Sequence, residues 1–136
     1  MTAAGFHTVE LADAWVEGDG GARWRSGSGL GPSDGTRESG CSLLEVDPGA
    51  RLPRHTDSAE ELVVVIEGEA EVVVAERAER VPAGGVALVP REEPHEVRNA
   101  GERVLRFAAV YAGSDVVTRY EAPVQPGGER ERRPVE

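Results

Sequence analysis

Cysteine is nearly absent from this chain: Cys41 is the only one among 136 residues. A single thiol cannot close a disulfide within the chain, which excludes a cross-linked secreted scaffold and sets the expectation of a cytoplasmic protein. Basic residues are also scarce, 15 Lys and Arg against 25 Asp and Glu, for a net charge of −10. That balance speaks against a nucleic-acid phosphate footprint and against adhesion to anionic membranes, and it favours solubility. Apolar runs are short. Leu62 to Ile66 spans five residues, where a membrane-spanning helix needs about 20. Met1 to Glu10 has neither a basic start nor an apolar stretch, so no secretory leader is expected. Aromatics make up 4% of the chain. Trp15, Trp24, Phe107 and Tyr111 are expected in the core, the default for large rings, with the lining of a pocket as the alternative.

Glycine and proline are plentiful by contrast, 17 and 9 residues at short intervals. This punctuation favours strands joined by turns, and the length suits one domain with a core of its own. Ser42 to Val46 is β-like and ends at the turn Asp47-Pro48-Gly49, where proline fixes φ and glycine accepts a positive one. Glu61 to Ile66 and Ala70 to Ala75 flank Glu67-Gly68-Glu69, a hairpin signal. Arg80 to Pro82, Val86 to Pro90, His95 to Arg98 and Arg103 to Tyr111 continue the series. Many short strands at close spacing predict an all-β sandwich or barrel. Before Gly40 the reading is irregular: a weak strand over Phe6 to Leu11, another over Ala22 to Ser26, and loops at Gly18 to Gly21 and Gly27 to Gly35. Short helices are the reading for Leu11 to Trp15 and Ser114 to Tyr120, and the tail after Tyr120 is expected to be mobile. The division is thus an N-terminal segment 1–40, a barrel core 41–112 and a C-terminal extension 113–136.

Metal-ligating side chains gather in two stretches. Along an extended chain, residues two apart share a face, so His55 and Asp57 project together, and Glu61 has the same parity. Glu60 is the register alternative, facing the other way. His95 follows Pro94, which biases Glu93 toward an extended backbone. Two imidazoles with one or two carboxylates suit Fe(II), Mn(II), Ni(II), Co(II) or Zn(II) and fit poorly with an all-oxygen calcium cage. Asp57 has three readings: ligand, acceptor for an imidazole N–H, or turn residue. His7 lacks partner spacing and is read as structural or exposed. Cys41 is read as a small buried hydrophobe rather than a nucleophile. With Glu61 facing a cavity, Val63 and Val65 face inward, while Leu62, Val64 and Ile66 form an apolar outer face that needs a cover.

The two stretches read G-x5-H-x-D-x3-E-x6-G, from Gly49 to Gly68, and G-x5-P-x3-P-H-x3-N, from Gly84 to Asn99. This pattern resembles the cupin superfamily, whose motifs are G-x5-H-x-H-x3-4-E-x6-G and G-x5-P-x-G-x2-H-x3-N. The resemblance implies a double-stranded β-helix, or jelly-roll barrel, with His55, Glu61 and His95 at three of the four usual ligand positions. It departs in two places. Asp57 stands where the family has its second histidine; a carboxylate there makes the site more anionic and lowers a bound metal's redox potential. Glu92 stands at the usual glycine and must take that turn without glycine's freedom.

The resemblance further implies a metal-dependent enzyme acting on a small organic molecule, with Asp57 as fourth ligand or as base. A dioxygenase-like oxidoreductase is the first expectation, since two histidines and a carboxylate with open positions suit Fe(II). A metal-supported isomerase, lyase or polyketide cyclase stands beside it. So does a non-catalytic cupin that binds a small molecule, and a metal-free epimerase-like enzyme with His55 or His95 as general base. Single-domain cupins commonly pair, so the apolar outer face of the Val-rich strand implies a homodimer.

Overall fold

The computed structural model describes residues 3–136, so the first two residues of segment 1–40 lie outside the described residues. Twelve strands form the fold: β1 (Ala12–Val16), β2 (Asp19–Leu30), β3 (Gly40–Val46), β4 (Arg51–Asp57), β5 (Glu61–Glu67), β6 (Glu69–Val74), β7 (Arg77–Pro82), β8 (Val86–Val89), β9 (His95–Asn99), β10 (Leu105–Tyr111), β11 (Thr118–Val124) and β12 (Glu129–Arg132). One curved sheet runs β1-β2-β3-β10-β5-β8, and the other runs β12-β11-β4-β9-β6-β7. A parallel pairing of Ala22 with Arg51 joins them at β2 and β4, and every other pairing is antiparallel. The result is the all-β jelly roll expected from the strand spacing. Among the described residues no helix is long and apolar enough to cross a membrane.

Alternation of side chains builds the core. On β5, Glu61, Val63 and Val65 are buried, while Leu62 and Ile66 are exposed. On β10, Phe107 and Ala109 point into the same core, which they share with Leu44 and Val46 of β3, Leu52 of β4 and Val97 of β9. The motif glycines occupy turns that other residues enter only under strain: Gly49, Gly68 and Gly84 all have φ between 80° and 87°. At Gly68 a Cβ would also lie 2.9 Å from the Val104 carbonyl oxygen.

Several local expectations are corrected. Leu11 to Trp15 is not helical: Ala12–Val16 is β1, folded against β2 across Gly18, whose φ is 79°. The loop expected over Gly27 to Gly35 begins later, because Gly27 to Leu30 continue β2 in register with β3. At Gly27 a Cβ would meet the Glu10 carbonyl at 2.8 Å, so the glycine serves close packing against the N-terminal segment. Phe6 to Leu11 is a turn rather than a strand, with Thr8 N–H and Val9 N–H donating to the Gly5 carbonyl. Ser114 to Tyr120 is not helical either. Its β-branched run Val116-Val117-Thr118 leads into β11, which pairs with β4. The tail beyond Tyr120 is likewise built into the fold, with β12 on β11 and with Val124 and Val135 buried.

Candidate metal centre

Four side chains from three strands converge where the two sheets meet. His55 and Asp57 share one face of β4, Glu61 opens β5, and His95 opens β9. His55 and His95 are direct cross-strand partners, with ring centroids 4.1 Å apart. The bend from β4 to β5 is fixed by two backbone bonds: Ser58 N–H donates to the Val117 carbonyl, and Ala112 N–H donates to the Glu60 carbonyl. The turn before β9 is tied in as well. Glu92 takes φ 63°, the conformation for which the family uses glycine, and its N–H donates to the Asp57 carbonyl at 2.9 Å. The motif asparagine is a clamp rather than a ligand: Asn99 Nδ2 donates to the carbonyls of Val46 and Arg103.

All four side chains are buried, and one donor atom of each lies within 4.8 Å of the others. His95 Nε2 is 3.1 Å from Glu61 Oε1 and 3.2 Å from Asp57 Oδ2, and His55 Nε2 is 3.6 Å from the same Oδ2. Each imidazole is oriented from behind by a carbonyl, Pro53 O at 2.6 Å from His55 Nδ1 and Glu93 O at 2.9 Å from His95 Nδ1. A carbonyl only accepts, so both Nδ1 atoms carry hydrogen and both Nε2 atoms face the cluster, as metal-ligating histidines require. Asp57 divides its carboxylate. Thr118 Oγ1 donates to Oδ1 at 2.5 Å, whereas Oδ2 is buried without a hydrogen-bond partner.

This donor set fits a divalent transition metal. Bonds of about 2.1 Å place adjacent ligands of an octahedron about 3 Å apart; two of the donor separations, 3.1 and 3.2 Å, lie close to that edge, and the third, 3.6 Å, is longer. Asp57 Oδ2, which has no hydrogen-bond partner beyond its ion-pair distance of 3.2 Å to His95, lies with the other three donor atoms inside 4.8 Å.

Electrostatics point the same way. Burial disfavours the His95 cation, but Asp57 and Glu61 beside it outweigh burial and raise its pKa to about 10. Burial and the His95 charge push His55 down to about 4, so its imidazole is neutral. Burial also lifts Glu61, with the Asp57 charge adding to it, to about 7. For Asp57 burial is the largest influence and acts upward, yet the imidazoles overcome it and hold the carboxylate at about 2. Without metal the cluster therefore holds itself together with a proton that a divalent cation would replace.

The cluster opens into a cavity of about 580 Å³ inside the barrel. Trp24 and Tyr120 stack at 5.5 Å along one wall, and Tyr120 continues onto His55 at 5.2 Å. Phe107 and Tyr111 line the opposite side. Burial, together with the Glu61 and Asp57 charges, keeps the Tyr111 phenol protonated far above its ordinary range.

Other candidates fall elsewhere. Glu60 is exposed, His7 is exposed outside the cluster, and burial raises the half-buried Cys41 thiol so that it stays protonated. Trp15 joins neither the core nor this cavity; its indole N–H donates to Glu17 near the surface. Thr118 and Tyr120 were not anticipated. Their only local signal is the alternation of Thr118 and Tyr120 after Val116, and nothing local reveals that β11 lies against β4.

The fold and this buried four-donor cluster define a jelly roll with a candidate metal site. The profile of the cupin domain matches residues 42–111, and the chain belongs to the cupin family. A curated relative, endoribonuclease YbeY of Myxococcus xanthus, is 34% identical over 77 residues; these make up 57% of this chain and 26% of that protein, so the chain spans about a quarter of its length. Among solved structures, the polyketide cyclase RemF of Streptomyces resistomycificus superposes with a TM-score of 0.66 at 24% identity, covering 82% of this chain and 78% of that one. Oxalate decarboxylase of Lactobacillus farciminis gives 0.71 at 18% identity, over 85% of this chain and 34% of its own. The Cnp3 cupin domain of Schizosaccharomyces pombe gives 0.65 at 19%, over 80% and 72%. At these identities the structural likeness establishes the fold alone.

Proposed function

We propose that the protein is a metal-dependent enzyme that transforms a small organic molecule inside the barrel, with dioxygenase-like oxidation as the first reading. The observation that carries this is the buried, unpartnered Asp57 Oδ2 facing two imidazole Nε2 atoms beside Glu61. His55 and His95 through Nε2, Glu61, and Asp57 through Oδ2 would hold the metal. A bound divalent ion supplies Lewis acidity toward a carbonyl or enolate oxygen, and iron in that place adds O₂ chemistry. The chain's own contribution is positional. Thr118 holds Asp57 in one orientation, the backbone carbonyls of Pro53 and Glu93 fix the imidazole tautomers, and Trp24, Phe107, Tyr111 and Tyr120 give the cavity beside the cluster an aromatic lining. Should Asp57 act as base instead, Oδ2 is the atom that takes the proton, because Oδ1 is occupied by Thr118.

Metal-supported cyclisation or isomerisation is the second reading. What favours it is the polyketide cyclase RemF, a protein of similar extent that superposes over most of both chains. Oxygen uptake separates the two. Protein loaded anaerobically with Fe(II) and offered a panel of small aromatic and enolisable compounds should consume O₂ in proportion to product. Conversion without O₂ uptake, equally supported by Zn(II), would replace the first reading with the second. Conversion of nothing in either form, with metal bound, would leave only a binding protein. The lone Cys41 fits a cytoplasmic setting. The exposed apolar face of Leu62, Ile66, Val86 and Leu88 on β5 and β8 fits a homodimer built by covering it.

A further inference from the structure

The Ser42 hydroxyl makes no hydrogen bond within the fold. The residue is buried at 2% exposure and lines the cavity that opens onto the metal cluster. Its cross-strand neighbours are Ala109 on β10 and Ser28 on β2, whose hydroxyl instead accepts the Glu136 N–H. Tyr111 lines the same cavity as Ser42. A buried hydroxyl left unpaired costs stability, and such groups are kept where a ligand completes them.

Position adds a ruler. Ser42 stands opposite Ala109, Ala109 stands opposite Val63, and Glu61 is two residues further along β5. With strands about 4.8 Å apart and about 3.4 Å per residue, Ser42 and Glu61 are roughly 12 Å apart from Cα to Cα. Both side chains stand off the same face of that sheet, so the span between them stays near that length and accepts one or two six-membered rings. Elsewhere on the cavity wall Trp24 and Tyr120 stack, and Tyr120 lies tilted against His55.

We infer that the cavity takes a planar conjugated molecule of one or two rings, bound by a polar edge at the metal cluster and by an oxygen at its far edge that pairs with the Ser42 hydroxyl. Ser42 reads that oxygen, and the stacked Trp24 and Tyr120 read flatness. The inference rests on the metal-dependent reading for the near edge and on Ser42 alone for the far one.

Calorimetric titration of Zn(II)-loaded protein with 2,3-dihydroxynaphthalene and 2,3,6-trihydroxynaphthalene tests it, with metal content measured first. The trihydroxy compound should bind about tenfold more tightly, the return on one well-placed hydrogen bond. Ser42→Ala should erase that difference while changing the affinity for the dihydroxy compound less than twofold. It should also leave the melting temperature unchanged or raised, which a structural hydroxyl would not do. Equal affinity of the two compounds for the wild-type protein, or an equal loss for both in Ser42→Ala, would overturn the inference, as would binding of neither. A protein that takes up no metal, yet still distinguishes the two compounds through Ser42, would sink the metal reading and leave the far-edge assignment standing.

Discussion

Metal loading should expel protons in a number that the cluster itself sets. Every donor must present a lone pair to a cation, so each proton held by the metal-free site on a ligating atom has to leave. His95, raised to about 10, carries one such proton at pH 7, and Glu61, raised to about 7, carries half of one. Asp57, held at about 2, and His55, held at about 4, carry none on their ligating atoms. Between one and two protons should therefore appear per metal bound at pH 7, more at pH 6 and fewer at pH 9. The logarithm of the apparent affinity should climb with pH at those same slopes. Calorimetric titration of metal-free protein with Zn(II) or Mn(II), repeated in buffers of different ionisation enthalpy, gives the proton count directly. A count near zero at pH 7 would refute the reasoning, because it would mean that the ion enters without displacing the His95 proton.

Three further outcomes follow from the same geometry. Thr118→Val removes the donor that fixes Asp57 Oδ1 and should weaken metal binding about tenfold or more, while Thr118→Ser retains most of it; a chelator-dye competition assay reads both. Metal-free protein should lose thermal stability as pH rises from 6.5 toward 10. The raised pKa of His95 contributes fully below its unfolded value of 6.5 and is lost as pH climbs through about 10, with the Glu61 contribution lost through about 7. Melting curves at pH 6 and pH 9 in the presence of a chelator check this, and a flat profile would contradict it. Leu62→Asp with Leu88→Asp, on exposed and directly paired residues, should turn a dimer into a folded monomer of 14.5 kDa in sedimentation.

Much of this was legible because two periodicities coincide. Strand parity places His55 and Asp57 on one face of β4, and motif spacing adds Glu61 and His95 at the starts of two other strands; neither needs long-range information. The glycines at 49, 68 and 84 are legible for the same reason, since a positive φ is a local demand. Thr118 was not, because its value lies in standing opposite Asp57 across a pairing of strands about sixty residues apart, which no local pattern encodes. β2 was obscured by its own glycines. Gly27 and Gly29 weaken strand propensity, yet the close approach of Glu10 and Cys41 backbone to those positions leaves no room for a side chain. β1 was misread as helix because five residues are too few to separate one periodicity from the other. For Asp57 the sequence alone supports ligand, acceptor and turn residue alike. The structure narrows the matter to its two oxygens, one held by Thr118 and one facing the imidazoles.

The central claim is that His55, Asp57, Glu61 and His95 together hold one divalent ion. Anomalous diffraction at the metal absorption edge, from crystals of protein purified without chelator and resupplied with Mn(II) or Zn(II), addresses it directly. The account predicts a single peak within about 2.0–2.3 Å of both imidazole Nε2 atoms, a Glu61 carboxylate oxygen and Asp57 Oδ2. No peak in the barrel, or a peak that leaves Asp57 Oδ2 uncoordinated and still unpaired, would contradict it.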